Sequence, residues 1–434
     1  MRTPRYKQVV DALAAELRAG RWPVGTRLPT HRDLAAHEGI ALVTATRVYA
    51  ELAAMGLVTG EQGRGTFVRD TTLLAGQGID EQAVAADAVD LRFNYPAIPG
   101  QCELLRHALR ELSTAGDLES LLHYQPHGGR LEDRAAVARH LHRRGLSVDA
   151  SKVLIVSGAQ HGLAVTAMAT LQRGDVVAVD PLTYPGFKVL AHTLGLELVA
   201  TSDLDELCRR RPVRAVYSIP TLHNPLGTVL SLTARKRLVA TARRHGLLII
   251  EDAAYAYLAD DAPPPLAALA PSQTVYVSSL SKSVATGLRV GFVVAQDVPP
   301  IERVIRATTW NTPALNVALV RRWLADGTVD RLEAHKRTDA HMRQAIARDV
   351  FAGQPVVGHP ASYFLWLPLA EPARADRVAA TLARHRISVA TADQFATTPV
   401  VPQALRLALG SVPVPDLRRT LATVRAVVDE DAHH

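Results

Sequence analysis

The chain has 434 residues, 48% of them hydrophobic and 21% charged, which is enough for two or three domains with buried cores and excludes disorder over most of its length. A net charge of +7 is compatible with a polyanionic partner without demanding one. The N-terminus "MRTPRYKQVVDALAAELRAG" has scattered charges and no apolar block of leader length, and no run of about 18 apolar residues follows, so a soluble, cytoplasmic protein without a membrane segment is expected. Cys102 and Cys208 stand far apart and lack a CxxC or metal-ligand context, so neither a disulfide framework nor a metal site is expected.

Residues 1–69 read as helix, helix, helix, hairpin. Tyr6, Val9, Val10, Leu13 and Leu17 recur at three- and four-residue steps and Gly20 ends the pattern, which is one amphipathic helix. In "LPTHRDLAAHEG" Thr30 is placed to cap a helix, with Asp33 at the capping-box position. "ALVTATRVYAELAAMG" puts Ala45, Val48, Tyr49 and Leu52 on one face and leaves Thr44, Thr46 and Arg47 elsewhere. "LVTGEQGRGTFV" is two short β-prone runs around a turn containing Gly63, Arg64 and Gly65. Two short helices joined by a tight turn and followed by a hairpin form a winged helix-turn-helix, whose second helix enters the DNA major groove. Up to residue 70 there are ten Lys or Arg against seven Asp or Glu, so charge alone does not separate a DNA reader from a helical protein-contact domain.

The stretch "GTRLPTHRDLAAHEG…VTATRVYAELAAMGLVTGEQGRGTFV" resembles the DNA-binding domain of GntR-type regulators over residues 5–69. The resemblance implies operator contacts by Arg32, Thr44, Thr46, Arg47 and Arg64, with double-stranded DNA as the partner. Residues 70–91 lack periodicity and are rich in Ala, Asp, Gln and Gly, the composition of an inter-domain linker.

From about residue 150 short apolar runs alternate with helical stretches. "KVLIVSG", "DVVAVD", "LELVAT", "AVYSIP", "LLIIED" and "TVYVSSL" read as strands, with "QHGLAVTAMATLQRG" and "TARKRLVATARRHG" among the helices between them. The alternation predicts an α/β fold with a mostly parallel central sheet, whose ligands sit at the carboxyl ends of the strands. Polar motifs follow the strands. "SGAQHGL" is either a tight turn or a phosphate cradle built on the amides of Ala159 and Gln160. "DPLTYPGF" holds Tyr184 in a stiff loop, "IPTLHNPLGTV" carries Asn224, which can donate to a ligand or close an Asx turn, and Asp252 ends an apolar strand. "SSLSKSVATGLRVGF" offers Ser279, Ser281, Lys282 and Arg289. An amine for a Schiff base, an acid for a pyridine nitrogen, an aromatic to stack on a ring and a hydroxyl–guanidinium–amide set for a phosphate are the requirements of pyridoxal 5′-phosphate.

The order of these pieces, with Asn224, Asp252 and Lys282 separated by 28 and 30 residues, resembles the fold-type I aminotransferases over roughly residues 90–430. The resemblance implies a cofactor tethered to Lys282 as a Schiff base, with Asp252 on its ring nitrogen and Asn224 and Tyr255 on its 3′-oxygen. Tyr184 would stack on the ring, and Ala159, Gln160, Ser279, Ser281 and Arg289 would hold the phosphate. "QALRLALG" matches the motif whose arginine binds a substrate carboxylate, which falls on Arg406. Asp252-Ala253-Ala254-Tyr255 departs from the commoner "EDDxY" but keeps the Asp-to-Tyr spacing, and the tyrosine loop is one residue longer than the commoner regulator form. A winged helix-turn-helix (1–69), a linker (70–91) and an aminotransferase-like domain (92–434, with a smaller α+β subdomain from about 325) together resemble the MocR subfamily of transcription regulators, as does "TTWNTPALN". That likeness implies a homodimer that senses an amino acid, an amine or pyridoxal phosphate through exchange at Lys282 and changes operator binding. The alternative is a working aminotransferase carrying a DNA-binding domain; every cofactor residue is common to both.

Overall fold

The computed structural model describes residues 5–19, 21–23, 25–61, 65–68, 88–114 and 118–433. Arg64 and residues 70–87, the greater part of the expected linker, lie outside them.

The N-terminal unit is built from the helices Arg5–Arg18, His31–Glu38 and Leu42–Ala54 and the antiparallel pair Val58–Glu61 and Gly65–Val68. Its apolar stripes converge: Val9, Val10, Leu17, Leu34, Ala45, Val48, Tyr49, Leu52 and Val68 form one core. Thr30 and Asp33 make a complete capping box, and Gly39, with φ near 60°, closes the same helix in the left-handed conformation. The turn into Leu42–Ala54, the recognition helix, follows directly.

The large domain is a seven-stranded sheet. In spatial order its strands are Val153–Val156, Gly291–Val294, Thr274–Ser279, Leu248–Asp252, Val213–Ser218, Val176–Val179 and Glu197–Ala200. Gly291–Val294 runs antiparallel to both of its neighbours, and every other pair is parallel. Apolar helices cover both faces. The smaller C-terminal subdomain has an antiparallel sheet of Phe364–Pro368, Ala404–Ala408 and Ala390–Thr391, packed on the helices Ala375–Arg384 and Val414–His433. Val89–Asp90, at the end of the expected linker, pairs with Ile387–Ser388, so the chain joins the C-terminal subdomain before entering the large domain. One 23-residue helix, Thr328–Val350, connects the two: Val329 and Leu332 belong to the large-domain core, Ala347 and Val350 to the C-terminal one. Among the described residues no helix is long and apolar enough to cross a membrane.

The N-terminal unit docks on the C-terminal subdomain through buried charge. Arg374, 2% exposed, reaches Glu51 of the recognition helix at 3.0 Å, Asp11 at 3.1 Å and Asp376 at 3.4 Å. Lys7 donates to the carbonyl of Pro372. Burial raises the Glu51 carboxyl above its usual range while the Arg374 guanidinium pulls it back. Removing one partner from such a cluster costs about 3–5 kcal/mol, because the other is left buried and uncompensated, whereas replacing both by apolar groups is nearly neutral. Arg374→Ala is therefore expected to free the N-terminal unit, read as faster amide exchange in Arg5–Arg18 and Leu42–Ala54, and Arg374→Leu with Glu51→Leu to restore part of the protection, Asp11 and Asp376 still lacking their cation. Unchanged exchange in the single variant would mean that this cluster does not hold the two units together.

Candidate functional site

Parallel register brings the polar loops to one edge of the sheet. Val153–Val156 leads to the helix Ala159–Thr170, Val176–Val179 to Tyr184, Val213–Ser218 to Asn224, Leu248–Asp252 ends on Asp252, and Thr274–Ser279 runs into Lys282. Because Gly291–Val294 is antiparallel, its start lies at the same edge and brings Arg289 with it. A cavity of about 390 Å³ opens there, within the usual range for small-molecule sites. Ala159, Gln160, Tyr184, Asn224, Asp252, Tyr255, Ser279, Ser281, Lys282, Arg289 and Arg406 all line it. Arg92, Phe93, Asn94 and Phe364 are also part of the wall.

Asp252 is buried, and burial pushes its carboxyl above the usual range; the Tyr217 hydroxyl, donating to Oδ2 at 2.7 Å, and the Ala254 amide, donating to Oδ1 at 3.1 Å, oppose that shift. Tyr217 stacks on Phe187, with centroids 3.8 Å apart and an interplanar angle of 5°, which fixes the hydroxyl. Glu251, one residue earlier on the strand, faces away and accepts from the amides of Leu266 and Ala267 at 3.0 and 2.8 Å. Lys282 Nζ donates to the carbonyl of Asn94 at 2.8 Å and lies 5.6 and 6.0 Å from the ring centroids of Tyr95 and Tyr255.

The other end of the cavity suits an anion. Gly158 sits at φ near 90° ahead of the helix Ala159–Thr170, whose first turn has no side-chain cap, so its leading amides are open to a ligand. A Cβ on Gly158 would stand 2.9 Å from Arg289 Nη2, so the guanidinium lies directly over the helix start, and the positive φ there favours glycine. Arg289 itself holds a left-handed backbone at φ near 51°, a strained conformation for a side-chain-bearing residue. Ser281 Oγ is buried with no partner among the described residues, as is Arg406 Nε. Arg406 donates to Asn224 Oδ1 at 3.2 Å and to the carbonyl of Arg92, and its guanidinium lies 4.9 and 5.0 Å from the rings of Phe364 and Phe395. Burial lowers it to about 10, which leaves it a cation at neutral pH. A buried serine hydroxyl without an acceptor, an arginine over a helix N-terminus and a shielded carboxylate across the cavity fit a phosphorylated pyridine.

Among the predicted DNA contacts, Arg32 is exposed and Thr44 half-buried. Thr46 is exposed, donates to the carbonyl of Leu42 and lies 3.1 Å from His31 Nδ1. Arg47 lies over the Tyr6 ring at 4.5 Å and 3.5 Å from Glu51, on the side of the recognition helix that meets the C-terminal subdomain. Of possible metal ligands, His140, Asp330 and Glu333 come together, but Arg143 and Arg144 already neutralise the two carboxylates. Sequence reasoning missed Tyr217, Asn94 and Arg92, and no local pattern marks any of the three.

Residues 86–424 match the family of class I and II aminotransferases, and residues 5–68 match the bacterial regulatory proteins of the gntR family. The HTH-type transcriptional regulator TauR of Rhodobacter capsulatus is 30% identical over 76% of this chain and 75% of its own. The chain belongs to the MocR-type transcription regulators. YdeF of Bacillus subtilis, also an HTH-type transcriptional regulator, is 26% identical to this regulator over 98% of this chain and 95% of its own. In fold it resembles LysN, an alpha-aminoadipate aminotransferase of Thermus thermophilus crystallised with N-(5′-phosphopyridoxyl)-L-leucine, at TM-score 0.70 and 23% identity over 88% of this chain and 98% of that one. The large domain is thus a fold-type I aminotransferase fold, and the regulator is a DNA-binding protein with an aminotransferase-like domain.

Tyr217→Phe keeps the ring stack and removes the donor to buried Asp252. It is expected to lower stability at pH 7 by about 2 kcal/mol in chemical denaturation; a loss below about 0.5 kcal/mol would mean that the hydroxyl does not carry the carboxylate.

Proposed function

We propose that this regulator binds pyridoxal 5′-phosphate in the 390 Å³ cavity and uses it to sense an amino compound, or the cofactor itself, changing its hold on operator DNA. The observation that carries the proposal is the convergence of Lys282, Asp252, Arg289 and Arg406 on one cavity, in a chain whose DNA reader docks on the subdomain that carries Arg406. Lys282 would tether the cofactor, Asp252 pair with its ring nitrogen, Asn224 and Tyr255 meet its 3′-oxygen and Tyr184 stack on it. The amides of Ala159 and Gln160, with Ser279, Ser281 and Arg289, would hold the phosphate. When bound, the cofactor supplies an aldehyde that condenses with amines and a protonated ring that withdraws electrons. Asp252, kept from water, favours that protonated ring. Arg406 would take the carboxylate of an amino-acid effector, and its planar guanidinium matches two oxygens at once.

DNA binding is assigned to Arg32, Thr44, Thr46, Arg47 and Arg64, and the setting for a DNA reader is the cytoplasm. A homodimer is supported by apolar side chains left in solvent: Leu122 and Tyr124, both 84% exposed, with Leu109, Leu131, Trp310 and Leu315, of which Tyr124 and Trp310 lie ring to ring. A regulator needs an effector that binds the two DNA-binding states with different affinity. An aminotransferase needs one step more, removal of the Cα proton by Lys282 acting as a base.

Titrating the cofactor-loaded protein with a panel of amines and amino acids, while following visible absorbance and operator affinity together, tests the proposal. One ligand is expected to move both, and Lys282→Ala to abolish the absorbance. Multiple turnovers with an amino acid and a keto acid would favour the enzyme instead. Arg32→Ala should weaken operator binding and reduce the salt slope by about one unit with the absorbance unchanged; an unaltered operator affinity would move the DNA surface elsewhere.

A further inference from the structure

Burying an ammonium group is costly unless every N–H finds an acceptor. Lys336 is fully buried, in the middle of the helix Thr328–Val350 that joins the two cores. Its Nζ donates to the backbone carbonyl of Lys282 at 3.0 Å and to that of Val284 at 2.8 Å. The Tyr257 hydroxyl donates to the same Lys282 carbonyl at 2.9 Å, and Gln101 Nε2 to the Val284 carbonyl at 2.6 Å. Burial lowers Lys336 to about 8, with Glu333 and Asp339 opposing that shift and Lys282 adding to it, so at neutral pH it remains a charged donor.

These bonds fix two peptide planes just after the cavity lysine, those that follow Lys282 and Val284. The Lys282 carbonyl turns toward Lys336 and Tyr257, while its side chain lines the cavity. Both carbonyls keep a second donor, Tyr257 and Gln101, so satisfying them does not by itself require a buried cation. A methionine would fill the same volume without the desolvation cost. The retained charge is accounted for if the loop must be held to a tolerance that packing alone does not provide.

We propose that Lys336 is the positioning residue for Lys282: through the Lys282 and Val284 carbonyls it holds the loop so that the Lys282 amine meets the carbonyl carbon of a bound aldehyde. The proposal rests on the cavity being a pyridoxal phosphate site, and its test separates the two. In the full-length protein freed of cofactor, wild type is compared with Lys336→Met and Tyr257→Phe using two ligands. Pyridoxal 5′-phosphate needs Lys282 to form its covalent bond. Pyridoxine 5′-phosphate presents the same ring and phosphate but carries an alcohol in place of the aldehyde, and so makes no bond to Lys282. Lys336→Met is expected to slow covalent capture, followed by visible absorbance, about tenfold or more. Its affinity for pyridoxine 5′-phosphate should stay within about twofold of wild type. Tyr257→Phe should act in the same direction with a smaller effect, which keeps the test open if the methionine variant does not fold. Equal losses for both ligands would reveal a collapsed cavity and overturn the positioning role, as would no change in capture. Amide exchange across residues 280–290 of the cofactor-free protein should rise in Lys336→Met, and unchanged exchange overturns the proposal whatever the ligands do. A wild type that binds neither ligand would remove the cofactor assignment, leaving the exchange measurement to decide the role of Lys336.

Discussion

Parallel strand register is the constraint on which the site depends. In a parallel sheet all carboxyl ends share an edge, so residues far apart in the chain become neighbours without any local feature that says so. Asp252 and Lys282 illustrate this: Leu248–Asp252 pairs with Thr274–Ser279, Asp252 lies opposite Val277, and the loop that follows carries Lys282 into the same cavity. The single antiparallel strand, Gly291–Val294, is no exception in effect. By running back along the sheet it begins where its neighbour ends, which turns Arg289 toward the start of the helix Ala159–Thr170.

The charges at this edge are individually unfavourable and stand only because each has a partner. Asp252 has Tyr217 and the Ala254 amide, Arg406 has Asn224 and the Arg92 carbonyl, and Lys336 has two carbonyls of the loop it supports. Not every polar group on the cavity wall is matched. Ser281 Oγ and Arg406 Nε are shielded from water and have no acceptor or donor opposite them among the described residues. Groups of that kind raise the free energy of the empty protein and are relieved by a ligand carrying oxygens to the same places.

Much of this was readable before the fold, and the reasons for the rest are physical. The capping box at Thr30 and Asp33 and the buried face of the recognition helix follow from local periodicity, which is short-range. Asn224, Asp252, Lys282 and Arg289 were found because chemistry restricts which residue types can serve one cofactor. Tyr217 was not, because inside "AVYSIP" a tyrosine is an ordinary strand residue until the neighbouring strand places Asp252 beside it. Lys336 lies in "EAHKRTD", where a lysine looks solvated; only the packing of the long helix beneath the Lys282 loop buries it. "GFVV" was too short to announce a strand, and the Arg374–Glu51 contact joins two domains whose surfaces carry no complementary pattern in the sequence. Tertiary contacts between charged residues are the least legible class, because a charge on a helix is the expected appearance of a solvated face.

Under the proposed function, the same contacts would link the cavity to the DNA reader. Arg406 stands on the strand Ala404–Ala408, and the flanking residues Leu405 and Leu407 pack in one core with Ala373 and Ala375, the neighbours of Arg374. Close-packed cores move as units. If Arg406 takes an effector as proposed, a displacement of the C-terminal subdomain that tightened it on that ligand would also displace the guanidinium that grips Glu51 on the recognition helix. Arg47 lies on that side of the helix, over Tyr6 and near Glu51, so the grip bears on a residue assigned to DNA. A ligand that fills the cavity without drawing on Arg406 would leave the grip unchanged, because a conformational equilibrium shifts only by as much as the ligand's affinities for the two states differ.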